Sequence, residues 1–180
     1  ILLEKNNMEK ISNEINPDDY EIIFSKTLKI DEEGLIDFVK SLCEISKEEL
    51  ASKDSPRIFS LQKLIETAEL NIKRVRITWS QIWNIISEHL TQAGSNTSPN
   101  IAEKAIDSLR QLAKKLLLKE EISIYSFQTE FLKPFENILI NNINTYRIKE
   151  FLLTCINSLV LTEAGSIKSG WKIIFNIFSL

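Results

Sequence analysis

Glycine and proline are scarce, with four of each in 180 residues. That excludes collagen-like, linker-like and turn-rich all-β chains. Two cysteines, Cys43 and Cys155, are too few for a disulfide-dense secreted scaffold. There is one histidine, His89. Cysteine and histidine together supply three scattered ligands where a zinc site takes about four, so no metal is expected. No run approaches the ~18 apolar residues of a membrane span. No basic stretch leads into an apolar one at the N-terminus, so no signal peptide is read there. Lysine and arginine number 22 against 25 acids, a formal net charge of -3. A general electrostatic binder of nucleic acid is not expected from that balance.

What the chain does contain is helical periodicity. Leu35, Phe38, Val39, Leu42 and Ile45 share one stripe, and Ile58, Leu61, Leu64, Ile65, Ala68 and Ile72 a second. Trp79, Ile82, Trp83, Ile86 and Leu90 follow, then Ile101 through Leu116 at helical spacing. Phe131, Phe135, Ile138 and Leu139 form the next, then Ile148, Phe151, Leu152, Cys155, Ile156 and Leu159. The last is Ile167, Trp171, Ile174, Phe175 and Phe178, and Leu3, Met8, Ile11 and Ile15 make a weaker N-terminal stripe. Start signals accompany the stripes. Asp31 is placed to cap a helix from Glu32, and Ser55-Pro56 and Ser98-Pro99 read as N-cap and first helical position. Thr78 with Gln81 reads as a capping box, residues 92–100 as a loop, and Pro134 as a start or kink.

Helix starts near 57, 78, 99, 131, 146 and 167 lie about 20 residues apart, so a pair takes about 40, the period of HEAT and armadillo repeats. The expected fold is all-α, a right-handed HEAT/armadillo-like superhelix in which each hairpin buries its face on its neighbours. The apolar last stripe predicts an exposed apolar edge at Ile174, Phe175 and Phe178, and both ends read as cut from a longer protein.

No catalytic constellation is legible. Any Ser–His–Asp or Cys–His site would have to use His89, which lies on an apolar helix, and both cysteines lie on apolar stripes. Gly165-Ser-Ile-Lys-Ser-Gly170 has the two-glycine spacing of a phosphate loop, but Trp171 stands where that loop needs lysine. Asn96-Thr-Ser98 is a sequon without a secretory context. The acid pairs at 32–33, 48–49 and 120–121 point about 100° apart on a helix and read as helix-start or surface charges. Residues 1–60 carry 14 acids and 8 bases, and residues 61–180 carry 11 acids and 14 bases. The second part is therefore weakly basic, compatible with an acidic partner or an anionic leaflet. Lys73, Arg74, Arg76 and Trp79 form a basic–aromatic cluster, read as pairing with Glu66, Glu69 or Asp107, or as protein-binding hot spots.

Several stretches resemble the large brefeldin-A-inhibited Arf guanine-nucleotide exchange factors of the trans-Golgi network. They lie in the C-terminal half of the homology region that follows the catalytic domain. The residues are Asp37–Leu50, Pro56–Leu64, Asn71, Arg74, Arg76 and Trp79-Ser-Gln-Ile-Trp83. Ala105–Leu112, Phe127-Gln128, Phe131–Phe135 and Ser166–Trp171 with Phe175 continue in the same order. The match runs from about Tyr20 to the end. It implies a variable linker or extra helix over 1–19 and an armadillo-like regulatory domain over 20–180. The family's Phe-Arg-Leu-Pro-Gly-Glu exchange string is absent, so this segment is not expected to be an enzyme or to hold a cofactor. The resemblance implies a module for recruitment or autoinhibition, peripheral on Golgi membranes. Its implied partners are GTP-bound Arf, other domains of the same exchange factor and, peripherally, an anionic membrane. A spacer and an anionic-lipid binder are the rival readings. The family-matching polar or amphipathic positions least needed for packing are Arg74, Arg76, Arg110, Lys133, Lys168 and Trp171, the candidate partner contacts. For Arg110 a structural alternative is open, pairing with Asp107 on a neighbouring helix.

Overall fold

The computed structural model describes residues 17–52, 56–118, 127–142 and 145–180. The stripe at Leu3, Met8, Ile11 and Ile15 lies outside the described residues, as does Ser55. Among the described residues there are eight α-helices and one 3-10 turn. They are α1 (Pro17–Lys26), the 3-10 turn (Thr27–Lys29), α2 (Glu32–Ala51), α3 (Phe59–Leu70) and α4 (Arg76–Gly94). After them come α5 (Pro99–Leu117), α6 (Phe127–Asn141), α7 (Tyr146–Glu163) and α8 (Trp171–Ser179).

The helices stack in two layers. One layer runs α2, α4, α6, α8 and the other α1, α3, α5, α7, with each helix packed on the next in its own layer. The hairpin pairs α2–α3, α4–α5 and α6–α7 close the layers on each other. The first-layer helices start at 32, 76, 127 and 171, close to the repeat length of HEAT and armadillo units. The chain is therefore an all-α helical-repeat protein, as the periodicity required. Because every second helix lies beside its predecessor, all four first-layer N-termini fall on one edge, together with the C-termini of the second layer.

Local chemistry explains most boundaries. Asp31 Oδ1 accepts the Gly34 N–H at 2.7 Å, and Glu32 and Glu33 favour the first turn of α2 through the helix dipole. Pro99 opens α5, and Lys114 and Lys115 sit in its last turn against the carbonyl ends. The α5 stripe is buried throughout, because this helix touches α3, α4, α6 and α7. Its alanines 102, 105 and 113 let those neighbours approach. Within the first layer Trp83 of α4 meets Phe131 of α6 edge-on at 4.7 Å, and Phe131 meets Phe127 of its own helix in the same way. At the far end of α4, a Cβ on Gly94 would lie 2.5 Å from Ile138 Cδ1, so a larger residue would have to displace the Ile138 side chain of α6.

Several sequence expectations require correction. The helix assigned to Thr78 begins at Arg76, so Thr78 lies buried inside the first turn and forms no capping box. The α3 helix begins at Phe59, which leaves Pro56 outside it. Ser98 does precede α5, but its side chain makes no capping bond; its N–H donates to Asn96 Oδ1 at 2.8 Å. The α4 helix runs to Gly94 and shortens the loop. Pro134 lies within α6, which already starts at Phe127. Ile45 is exposed, and Cys43 and Ser46 take its place on the buried side of α2. At the C-terminal end Phe175 and Phe178 are exposed as expected, but Ile174 is buried, because α8 turns Ile173, Ile174 and Ile177 inward.

Candidate functional site

The edge that gathers the first-layer N-termini is stitched together by polar clamps. In the bend between α3 and α4, Arg74 Nη2 donates to the carbonyls of Thr27 (3.0 Å), Leu28 (3.2 Å) and Ile30 (2.7 Å). Its Nε donates to Asn71 Oδ1 at 3.2 Å. Asn71, itself buried, donates to Thr27 Oγ1 at 3.0 Å. A guanidinium offers only donors, so it suits a turn whose carbonyls lack helical partners. The pairing expected with Glu66, Glu69 or Asp107 is therefore replaced at Arg74 by backbone carbonyls. Glu69 pairs with Lys115 and Glu66 with Lys63.

Next along the edge, the Arg76 guanidinium lies 5.6 Å from the centre of the Phe127 ring, which ties the start of α4 to the start of α6. Gln128 follows Phe127 and is fully buried. Its Nε2 donates to Ser166 O at 2.8 Å, while its Oε1 accepts the N–H of Lys168 (2.7 Å) and of Gly170 (3.1 Å). Thr129 Oγ1 adds a bond to Ser169 O at 3.0 Å. The bend between α7 and α8 is thus held in place against α6. A Cβ on Gly170 would come within 2.9 Å of Leu132 Cδ1, so this bend passes close over α6. Trp171 opens α8 and stacks on Phe175 at 5.7 Å between ring centres.

Four of the six candidate contacts, Arg74, Arg76, Lys168 and Trp171, therefore share one edge. The other two do not join them. Arg110 lies on α5 in the second layer, where its Nη2 and Nε donate to Asp107 Oδ1 at 2.6 and 2.9 Å. That pair is three residues apart on the same helix, not across helices as the structural alternative had it. Lys133 lies on α6, ion-paired with Glu136, in a groove of about 530 Å³ between α4 and α6. A second groove of about 610 Å³, between α2 and α4, is lined by Glu32, Glu33 and Asp37. Sequence reasoning gave Gln128 no role. A lone glutamine just ahead of an apolar stripe carries no signal that it will satisfy a bend about 40 residues away.

The interior chemistry is structural. Burial pushes the Cys43 thiol up to about 12 and the Cys155 thiol up to about 11, so both stay protonated near neutrality. His89 is buried with Nε2 2.8 Å from Ser46 Oγ. Burial, helped by the Lys47 charge, lowers it to about 4, so it is neutral at pH 7. Among the described residues no group of three or more His, Cys, Asp or Glu side chains could hold a metal ion. No helix among them is long and apolar enough to cross a membrane.

A two-layer helical stack with polar clamps along one edge defines an all-α helical-repeat domain. Comparison with known proteins then narrows it. Residues 115–180 match a family model described as Mon2/Sec7/BIG1-like, HDS. The chain is 42% identical over 157 residues to brefeldin A-inhibited guanine nucleotide-exchange protein 2 of Arabidopsis thaliana, covering 87% of this chain and 9% of that protein. It is 42% identical over 158 residues to protein 1 of the same name in Homo sapiens, covering 88% and 8% respectively. The chain belongs to the family of brefeldin A-inhibited guanine nucleotide-exchange proteins. It spans under a tenth of the length of these curated relatives.

Proposed function

We propose that this chain is a non-catalytic regulatory and protein-interaction module of a large Arf guanine-nucleotide exchange factor, peripheral on Golgi membranes. In this reading it contributes to recruitment by GTP-bound Arf or to autoinhibition by other domains of the same protein. The observation that carries it is the shared edge. Arg76, Lys168 and Trp171 present cationic and aromatic side chains on a rigid scaffold, with Arg74 holding the backbone beneath them, in a family whose members exchange guanine nucleotide. Trp and Arg anchors ringed by polar groups are what a protein partner uses. Arg110 and Lys133 are secondary contacts in this reading, on the second-layer face and in the α4–α6 groove. No residue is assigned to exchange chemistry, and none to a cofactor.

The test is co-sedimentation of the 180-residue chain with vesicle-bound Arf loaded with GTP or with GDP. The expected result is retention on GTP-loaded Arf above retention on the GDP form. Substituting Arg76→Glu, Lys168→Glu and Trp171→Ala together should abolish that difference. Equal retention on both forms overturns the recruitment reading.

A further inference from the structure

We propose that the bend between α3 and α4, with the 3-10 turn fastened to it, is a docking site for an anionic lipid bilayer. Three aliphatic side chains stand out from it: Leu28 at 52% exposure, Val75 at 60% and Ile77 at 75%. Arg74 binds the Leu28 carbonyl directly, so the two backbone segments carrying them are held side by side. Lys26, Lys29 and Lys73 flank them, all exposed, and none makes an ion pair among the described residues. Asp31 caps α2, and Glu32 and Glu33 line the groove between α2 and α4.

The chemistry favours a bilayer over a protein. Protein interfaces draw their energy from Trp, Tyr and Arg, and are depleted in Lys, with Leu and Val rare among their anchors. Isolated aliphatic tips ringed by lysines fit the boundary between acyl chains and headgroups. There the tips leave water and each ammonium meets phosphate or carboxylate at the surface. The clamps already order this bend, so docking costs little further conformational freedom. The proposal goes beyond the GTPase reading and needs no GTPase.

The experiment pellets the 180-residue chain with phosphatidylcholine vesicles and with vesicles containing phosphatidylserine, at low and high salt, without any GTPase. The chain should pellet with the anionic vesicles alone, and high salt should release it. The variant K26Q/K29Q/K73Q should bind about a hundredfold more weakly, from roughly fivefold per lysine. The variant V75S/I77S should lose about tenfold and keep the salt dependence. All five positions are exposed, so an unchanged thermal melt verifies that both variants remain folded. Equal pelleting with both vesicles, pelleting with neither, or an undiminished lysine variant overturns the proposal. Pelleting with neither would return the patch to a protein partner, and it would leave the Arf test standing on its own.

Discussion

Two bends return the chain to the first layer on the same edge, and they are fastened to their neighbours in opposite ways. The α3–α4 bend supplies its own clamp. Arg74 reaches out of it to three carbonyls of an earlier turn, at part-exposed positions. The α7–α8 bend is held from behind. Gln128 of α6 gives one hydrogen bond and accepts two, all from a fully buried side chain. The difference follows from the backbone each clamp meets: the 3-10 turn offers Arg74 carbonyls, and the α7–α8 bend offers Gln128 two N–H groups and a carbonyl. Carbonyls alone call for a donor-only group, whereas a mixture of N–H and C=O calls for an amide, which does both. A charged clamp also keeps its bend near water, and that bend is the one with exposed Val75 and Ile77. The neutral clamp lets its bend pack down onto Leu132.

The largest effect should come from the buried clamp. Gln128→Ala removes three hydrogen bonds from a fully buried side chain and strands the buried Gly170 N–H, and should cost about 4 kcal/mol at roughly 1–1.5 kcal/mol per bond. For a chain of this size that lowers Tm by about 10 °C in a calorimetric scan. If Gln128→Ala melts with the wild type, the α7–α8 bend is held by packing alone and the contrast between the bends collapses.

The next effect separates both bends from the common core. His89 lies between α2 and α4, away from either clamp, and its folded pKa of about 4 is below its ordinary value near 6.5. The unfolded chain therefore takes up a proton first as pH falls. Stability is complete above about pH 6.5 and declines toward pH 4, by roughly 3 kcal/mol over that window, then levels for this group. Denaturant melts of wild type and His89→Gln across pH 4–7 measure it. A variant with the same acid slope as the wild type removes His89 as the cause. Because the site is distant from Gln128, the two losses should add.

Arg74→Ala should cost less than Gln128→Ala, about 2 kcal/mol, since water can reach the carbonyls it abandons. Hydrogen exchange should show the loss locally, with faster exchange over residues 24–30 and 71–76 and no change at 166–170. Faster exchange at both bends would mean that the edge unfolds as one unit, and the comparison would have to be redrawn.

How far the sequence foretold these features depends on where each cause lies. The α5 stripe and the Asp31 cap were legible because periodicity and capping are written within a few residues. The Thr78–Gln81 box does not form because the start of α4 is set by Arg74 and Val75 leaving the turn, not by a hydroxyl. Ile45 and Ile174 depart from the sequence expectation for a related reason. Each helix meets neighbours at angles that no single stripe encodes, so one residue can fall just inside or outside the contact. Of the candidate surface, the charged and aromatic members stood out by type, but their convergence did not. Gln128, whose partners lie about 40 residues on, is invisible to any local rule.

The smallest predicted effect probes how tightly the second bend is drawn down. A methyl at position 170 would meet Leu132 Cδ1 at 2.9 Å and the Gln128 side chain at 3.4 Å. Both are side-chain atoms, and the Leu132 contact is the end of a flexible chain that can turn away. Gly170→Ala should therefore cost only about 1 kcal/mol, at the low end for overpacking. The pair Gly170→Ala with Leu132→Val tests the mechanism. If the methyl costs stability by crowding Leu132, shortening that side chain should recover most of the loss that Gly170→Ala adds. A loss that persists in the Leu132→Val background would instead place the strain on Gln128, by lengthening its bond to the Gly170 N–H. In that event Gly170→Ala should also reduce the penalty of Gln128→Ala, because the two changes would be breaking the same contact.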